Sequence, residues 1–173
     1  MPGLKDPNFY RSVSFIFEHT HEGAIGIVIN NVHTSITSRL IFQELSIDYR
    51  DETAGIPIHI GGPVHMNEIF VLHGPPLDYE QSIIVNPGIA ITNSKSILEA
   101  IAKAEGPNGY IISLGCAGWG SGQLEFEIKE NVWLNGPYAH DIMFELDTDR
   151  RWEEAITRMG IDPALLSDAA GHA

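Results

Sequence analysis

Four glycines crowd into the eight residues from Gly115 to Gly122. They stand between a strand-like run, Tyr110 to Leu114, and a polar helix-like run that ends near Glu130. Glycines this dense either take positive φ or admit a second segment or a ligand where a Cβ would collide. The stretch therefore predicts a tight turn or a site after a strand. It also holds the only cysteine, Cys116, and one of the three tryptophans, Trp119.

Around that stretch the chain alternates short apolar runs with breakers. Ser12 to Phe17 and Ala24 to Asn30 read as a hairpin across the polar Glu18 to Gly23. Thr37 is placed to cap a short helix with Leu40, Ile41 and Leu45 on one face. Ile56 to Ile60 reads as a strand with one buried face that breaks at Gly61-Gly62-Pro63, with Pro57 at its start or on a sheet edge. Ile69 to His73, Gln81 to Val85 and Ile89 to Thr92 read as three more strands. A helix capped by Ser94 or Ser96 is predicted to reach Glu105, with Ile97, Leu98, Ile101 and Ala102 as its apolar stripe. A second helix is predicted over Asp147 to Met159, where Trp152, Ala155, Ile156 and Met159 follow helical spacing and Gly160 supplies a terminator. These elements imply one α/β domain over residues 1–173: a mixed β-sheet with helices packed on it, with a small α+β lobe around residues 61–90 left open.

Composition narrows the function classes. Lys plus Arg number 10 against 23 Asp plus Glu, for a net charge of −13. No basic cluster exceeds Arg150-Arg151, so direct nucleic-acid binding is disfavoured. No apolar run approaches the roughly 20 residues that cross a bilayer, and Met1 to Pro7 has no signal-like stretch. One cysteine forms no internal disulfide, in agreement with a cytoplasmic location.

The candidate site residues each carry two readings. Strand, glycine run and helix start together make an anion cradle. Gly118-Trp119-Gly120-Ser121-Gly122 nonetheless matches neither G-x-G-x-x-G nor a phosphate loop, and Glu125 and Glu127 would compete for the helix end. The other reading is a structural turn with close backbone packing. Cys116 is either a nucleophile served by His19 or His73, or a small buried hydrophobe. The first option fails if Cys116 and His73 lie more than about 8 Å apart. Glu18-His19-Thr20-His21-Glu22 brings two histidines to a hairpin tip, without a third metal ligand, and reads as a polar turn. Trp119 either stacks on a partner or packs against Trp133 or Leu134. His73 and Gly61-Gly62-Pro63 either line the same rim or are a core histidine and an ordinary turn. Gln123, Glu125 and Asn131 supply polar groups or cap backbone.

Several pieces fall in a recognisable order: Met1-Pro2-Gly3-Leu4, Asp6-Pro7, Phe9, Ser12-Val13, Glu18-His19, Gly23-Ala24-Ile25-Gly26, Asn30, Gly61-Gly62-Pro63-Val64, Phe70-Val71-Leu72-His73, Thr92-Asn93-Ser94, Leu114-Gly115 through Gln123-Leu124-Glu125, Asn131, Trp133-Leu134, Arg151-Trp152 and Gly171-His172-Ala173. In that order they resemble the AlgH family of bacterial proteins along almost the whole chain. The resemblance implies a single α/β unit with a mixed sheet, and a regulatory role tied to alginate production without a settled biochemical activity. Two departures stand out. The family commonly carries a short leader with a strand before the Met-Pro, so one strand position is expected to be empty or differently filled. It also usually has tyrosine where Cys116 stands, and His21 has no counterpart.

Two functions follow as expectations. One is a non-enzymatic cytoplasmic binding or regulatory protein, without a cofactor, metal or catalytic set. Its contact residues would be Gly61, Gly62, Pro63, His73, Gly115, Cys116, Gly118, Trp119, Gly120, Gln123 and Glu125, and its partner a protein or a small anionic ligand. The other is an enzyme acting on a nucleotide or other phosphorylated metabolite held by Gly115 to Gly122.

Overall fold

A computed structural model of the chain describes residues 9–166. Its organising element is the longest strand, β8 (Tyr110–Gly120), flanked by β2 (Gly23–Val28) and β5 (Val64–His73), both antiparallel to it. The sheet runs β1 (Ser14–Thr20), β2, β8, β5, β7 (Ile89–Thr92), β6 (Ile83–Asn86). β4 (Pro57–Ile60) also pairs with β8, in parallel, and carries β3 (Val32–Thr37) on its other side. The sheet is thus mixed, as read from sequence. Residues 61–90 form no separate lobe, because β5, β6 and β7 continue the same sheet.

Both faces of the sheet are covered, which explains why β8 is apolar at consecutive positions. Ile112 joins Val71 and Ile58 beneath α1 (Ser38–Glu44) and α2 (Lys95–Ala102), whose Phe42, Ile97 and Ile101 are fully buried. Ile111 faces the other way, with Leu72, Ile27, Ile89 and Met143 of α4 (His140–Phe144). Each such side chain contributes roughly 1.5–3 kcal/mol by burial, which is what holds the strands in register.

Helix ends follow local signals. In α2 the Ser94 Oγ accepts from the Ser96 backbone N–H at 3.1 Å, a side-chain cap. That helix stops at Ala102 rather than Glu105 because Ala104 takes φ 58°. The last helix, α5 (Arg151–Arg158), starts four residues later than read, because Thr148–Arg150 winds as a 3₁₀ turn. Strand β3 was not read at all; its polar Val32-His33-Thr34-Ser35-Ile36-Thr37 lies partly in solvent.

Candidate functional site

The glycine stretch is a strand, where the sequence suggested a turn. β8 continues through Gly115, Gly118 and Gly120, and the turn comes only at Ser121-Gly122, before α3 (Gln123–Lys129). The glycines are needed because two backbones touch. A Cβ on Gly115, which sits at φ 72°, would lie 2.6 Å from the Gly62 carbonyl oxygen. One on Gly62 would overlap the Cys116 carbonyl group. Gly61, Gly62 and Gly115 are buried, and Pro63, Gly118 and Gly120 are exposed. This seam accords with the close-packing reading of the glycines.

Among the charged and polar candidates, the structure separates what an enzyme would need together. His73 pairs with Tyr110 and Val64 pairs with Cys116 on the same two strands. Cys116 and His73 are therefore six β8 residues apart in register, on the order of 20 Å at about 3.3 Å per residue. Burial, then the nearby Glu68 charge, pushes the Cys116 thiol above its ordinary value, opposite to an activated nucleophile. His73 is fully buried, its Nδ1 bonded to the Gly74 carbonyl at 2.9 Å and its imidazolium disfavoured by burial. Glu125 is taken by His19 at 2.7 Å, and its acidity is raised by its own backbone amide and by that histidine. Gln123 Oε1 accepts from the Gly120 amide at 3.0 Å, so it caps the turn. Among the described residues no group of three or more His, Cys, Asp or Glu converges as a metal site, and no helix is long and apolar enough to cross a membrane.

Trp119 is buried, with its indole turned onto Trp133 and Phe9 at centroid distances of 5.8 and 6.3 Å. Glu127 fixes both indoles: its Oε2 accepts from Trp119 Nε1 at 3.0 Å and from Trp133 Nε1 at 2.8 Å. Its other oxygen accepts from Gln123 Nε2 at 2.8 Å. These two tryptophans form one wall of an apolar groove of about 580 Å³. Leu124 and Ile128 of α3, residues 134–139, Met143 of α4, and Trp152, Ile156 and Met159 at α5 complete it. The remaining wall is the consecutive residues Ser12 to Ile16, which lead into β1 and form its first three positions. Successive strand side chains point to opposite faces, so a groove that touches all of them runs along the strand's edge. Among the described residues β1 pairs only with β2, and its other edge carries no strand. Ser14 Oγ, on the same wall, is buried without a hydrogen-bond partner. The size and lining lie within the range of ligand-binding clefts.

With this geometry in view, comparison with known proteins places the chain. An AlgH-like family model matches residues 1–164. The chain belongs to the AlgH-like family. A UPF0301 protein of Thioalkalivibrio sulfidiphilus is 47% identical, the match covering 100% of this chain and 92% of the relative. Another, from Desulforapulum autotrophicum, is 43% identical with the same coverage. The solution structure of AlgH from Pseudomonas aeruginosa superimposes with a TM-score of 0.80 at 37% identity, covering 100% of this chain and 92% of that one. A Corynebacterium diphtheriae crystal structure shares the fold, with TM-score 0.72 at 19% identity over 95% of this chain and 84% of that one.

Sequence reading missed the groove because its walls come from five separate segments. Glu127, read only as a competitor for the helix end, accepts from both indoles instead, and Gln123 and Glu127 stand at helical i,i+4 spacing. A second omission is the buried pair His59 and Arg151. Arg151 Nη1 donates to the Ile29 carbonyl and lies 3.5 Å from His59 Nε2. Burial and that guanidinium together hold the His59 pKa down at about 4. The reading of one buried face over Ile56 to Ile60 did not reach His59, which is buried beside Ile58 and lies against Arg151.

Proposed function

We propose that this AlgH-like protein is a non-enzymatic cytoplasmic binding protein that acts in regulation through a protein partner, and that the partner lays an extended apolar segment in the groove along β1. The observation that carries the reading is the coincidence of a strand edge unpaired among the described residues with apolar groove walls. A peptide added to such an edge gains main-chain hydrogen bonds from the strand, and its alternate side chains enter the groove. Of the sequence-derived set, Trp119 lines this groove, and His73 pairs with Tyr110 at the other end of β8. The enzyme reading loses its acid–base pair with the separation of Cys116 from His73, and the charge of −13 leaves any effect on transcription to a protein intermediary.

Titration of the tryptophan emission with a soluble apolar five-residue peptide tests this. Saturable binding is expected in the native protein, and its loss in Ala155→Trp, which fills the groove from α5. A folded Ala155→Trp variant that binds as well as the parent, or a parent that binds no such peptide, refutes the assignment. Sequence-specific duplex DNA binding at physiological salt refutes the protein-partner route.

A further inference from the structure

The geometry points to recognition of a chain end: the groove takes the C-terminal segment of its partner, running antiparallel to β1, with the terminal carboxylate on Arg11. This rests on the reading of the groove as a peptide seat and adds which peptide it accepts. Both sheet neighbours at this side, β1 with β2 and β2 with β8, pair antiparallel, and an added antiparallel strand continues the better-paired arrangement. Such a strand brings its C-terminus to the beginning of β1, where Arg11 stands. The Arg11 guanidinium carbon sits 4.9 Å from the centroid of Trp152, a groove residue. Among the described residues no carboxylate lies within salt-bridge distance of it, whereas Arg158, the cation lining the groove, is bound by Asp141 and Glu154. Stacking occupies the face of a guanidinium and leaves its N–H edge for a carboxylate, which it holds bidentately. Arg11 is also positioned in advance. Its backbone takes φ 50°, and Asn30 ties the segment by donating to the Arg11 carbonyl at 2.8 Å and accepting from the Val13 amide at 2.7 Å. In a chain of net charge −13, an arginine without a carboxylate partner among the described residues, beside an apolar groove, is a local attraction for a negative end that the rest of the surface repels.

The test compares N-acetyl-Val-Thr-Ile-Thr-Val as the free acid and as the C-terminal amide, binding to the whole protein by calorimetry. The free acid is expected to bind about tenfold tighter, as a charge-assisted pair at a partly desolvated site provides. That preference should shrink with added salt, fall below about twofold in Arg11→Ala and persist in part in Arg11→Lys. Equal binding of acid and amide overturns the chain-end assignment while leaving the groove as a peptide seat. A preference undiminished in Arg11→Ala overturns it as well. An amidated peptide with an Asp at its last position that matches the free acid shows side-chain recognition and removes the chain end. Binding of neither peptide refutes the underlying reading of the groove.

Discussion

Replacing Gly115 by alanine should cost the fold more than most single changes, and the structure says how much. Position 115 sits at φ 72°, where an L side chain costs roughly 1–2 kcal/mol. The new Cβ would lie 2.6 Å from the Gly62 carbonyl oxygen and 3.0 Å from that of Val64. Both obstacles are backbone, so β5 or the Gly61-Gly62 turn must move, an overpacking cost of about 1–3 kcal/mol. Loss of glycine's freedom in the unfolded chain offsets about 0.4–1 kcal/mol. The net is about 2–4 kcal/mol, against a total stability of about 5–15 kcal/mol. Guanidinium unfolding followed by circular dichroism reads this directly, and thermal unfolding should show a melting-temperature fall of about 4–16 °C at about 2–4 °C per kcal/mol. Gly55→Ala is the control, since nothing lies within 4 Å of its Cβ position, and it should stay within about 0.5 kcal/mol of the parent. If Gly115→Ala is equally neutral, the seam between Gly62 and Gly115 is not what the glycines are for.

His59, with a folded pKa of about 4, takes up its proton more readily when unfolded. Its contribution is whole above about pH 6.5 and is lost as pH falls toward 4, a change on the order of 3 kcal/mol. His59→Gln should flatten that limb, leaving a smaller slope from His73, whose pKa is shifted in the same direction; an unchanged slope in the variant counts against buried His59. Cys116, buried and with its thiolate disfavoured, should react with iodoacetamide in the native protein no faster than unfolding exposes it. Labelling at the rate of a free thiol contradicts that placement. Glu127→Ala leaves two indole N–H groups without their acceptor and should cost about 1–3 kcal/mol, with a shift in tryptophan emission. An unaltered spectrum removes Glu127 as the anchor of the groove wall.

What could be read from sequence was set by how local its cause was. The α2 stripe of Ile97, Leu98 and Ile101 and the Ser94 cap lie within one turn or two of each other, so pattern alone revealed them. The mixed sheet was visible in the same way, from short apolar runs between glycine and proline breaks. Gly115 to Gly120 was ambiguous because a glycine-rich strand and a glycine-rich turn have the same composition. What decides between them is Gly62, more than fifty positions earlier, whose carbonyl occupies the space of a side chain. Trp119 shows the same limit. Whether it points outward depends on Glu127 accepting its N–H and on Phe9 and Trp133 receiving its ring. The groove joins Ser12–Ile16 to residues beyond position 118, and no periodicity links segments so far apart. The burial of His59 was not legible because alternation tells which way a side chain points, not whether that side is covered.

The most direct measurement is isotope-edited NMR of the protein with a labelled apolar peptide. Intermolecular contacts should run from the peptide backbone to the backbone of Ser12 to Ile16, with side-chain contacts to Trp133 and Ile156, and the β1 amides should become protected from exchange. Contacts that fall instead on the exposed Ile83 and Ile84 of β6, with β1 unchanged, would contradict the groove as the binding site.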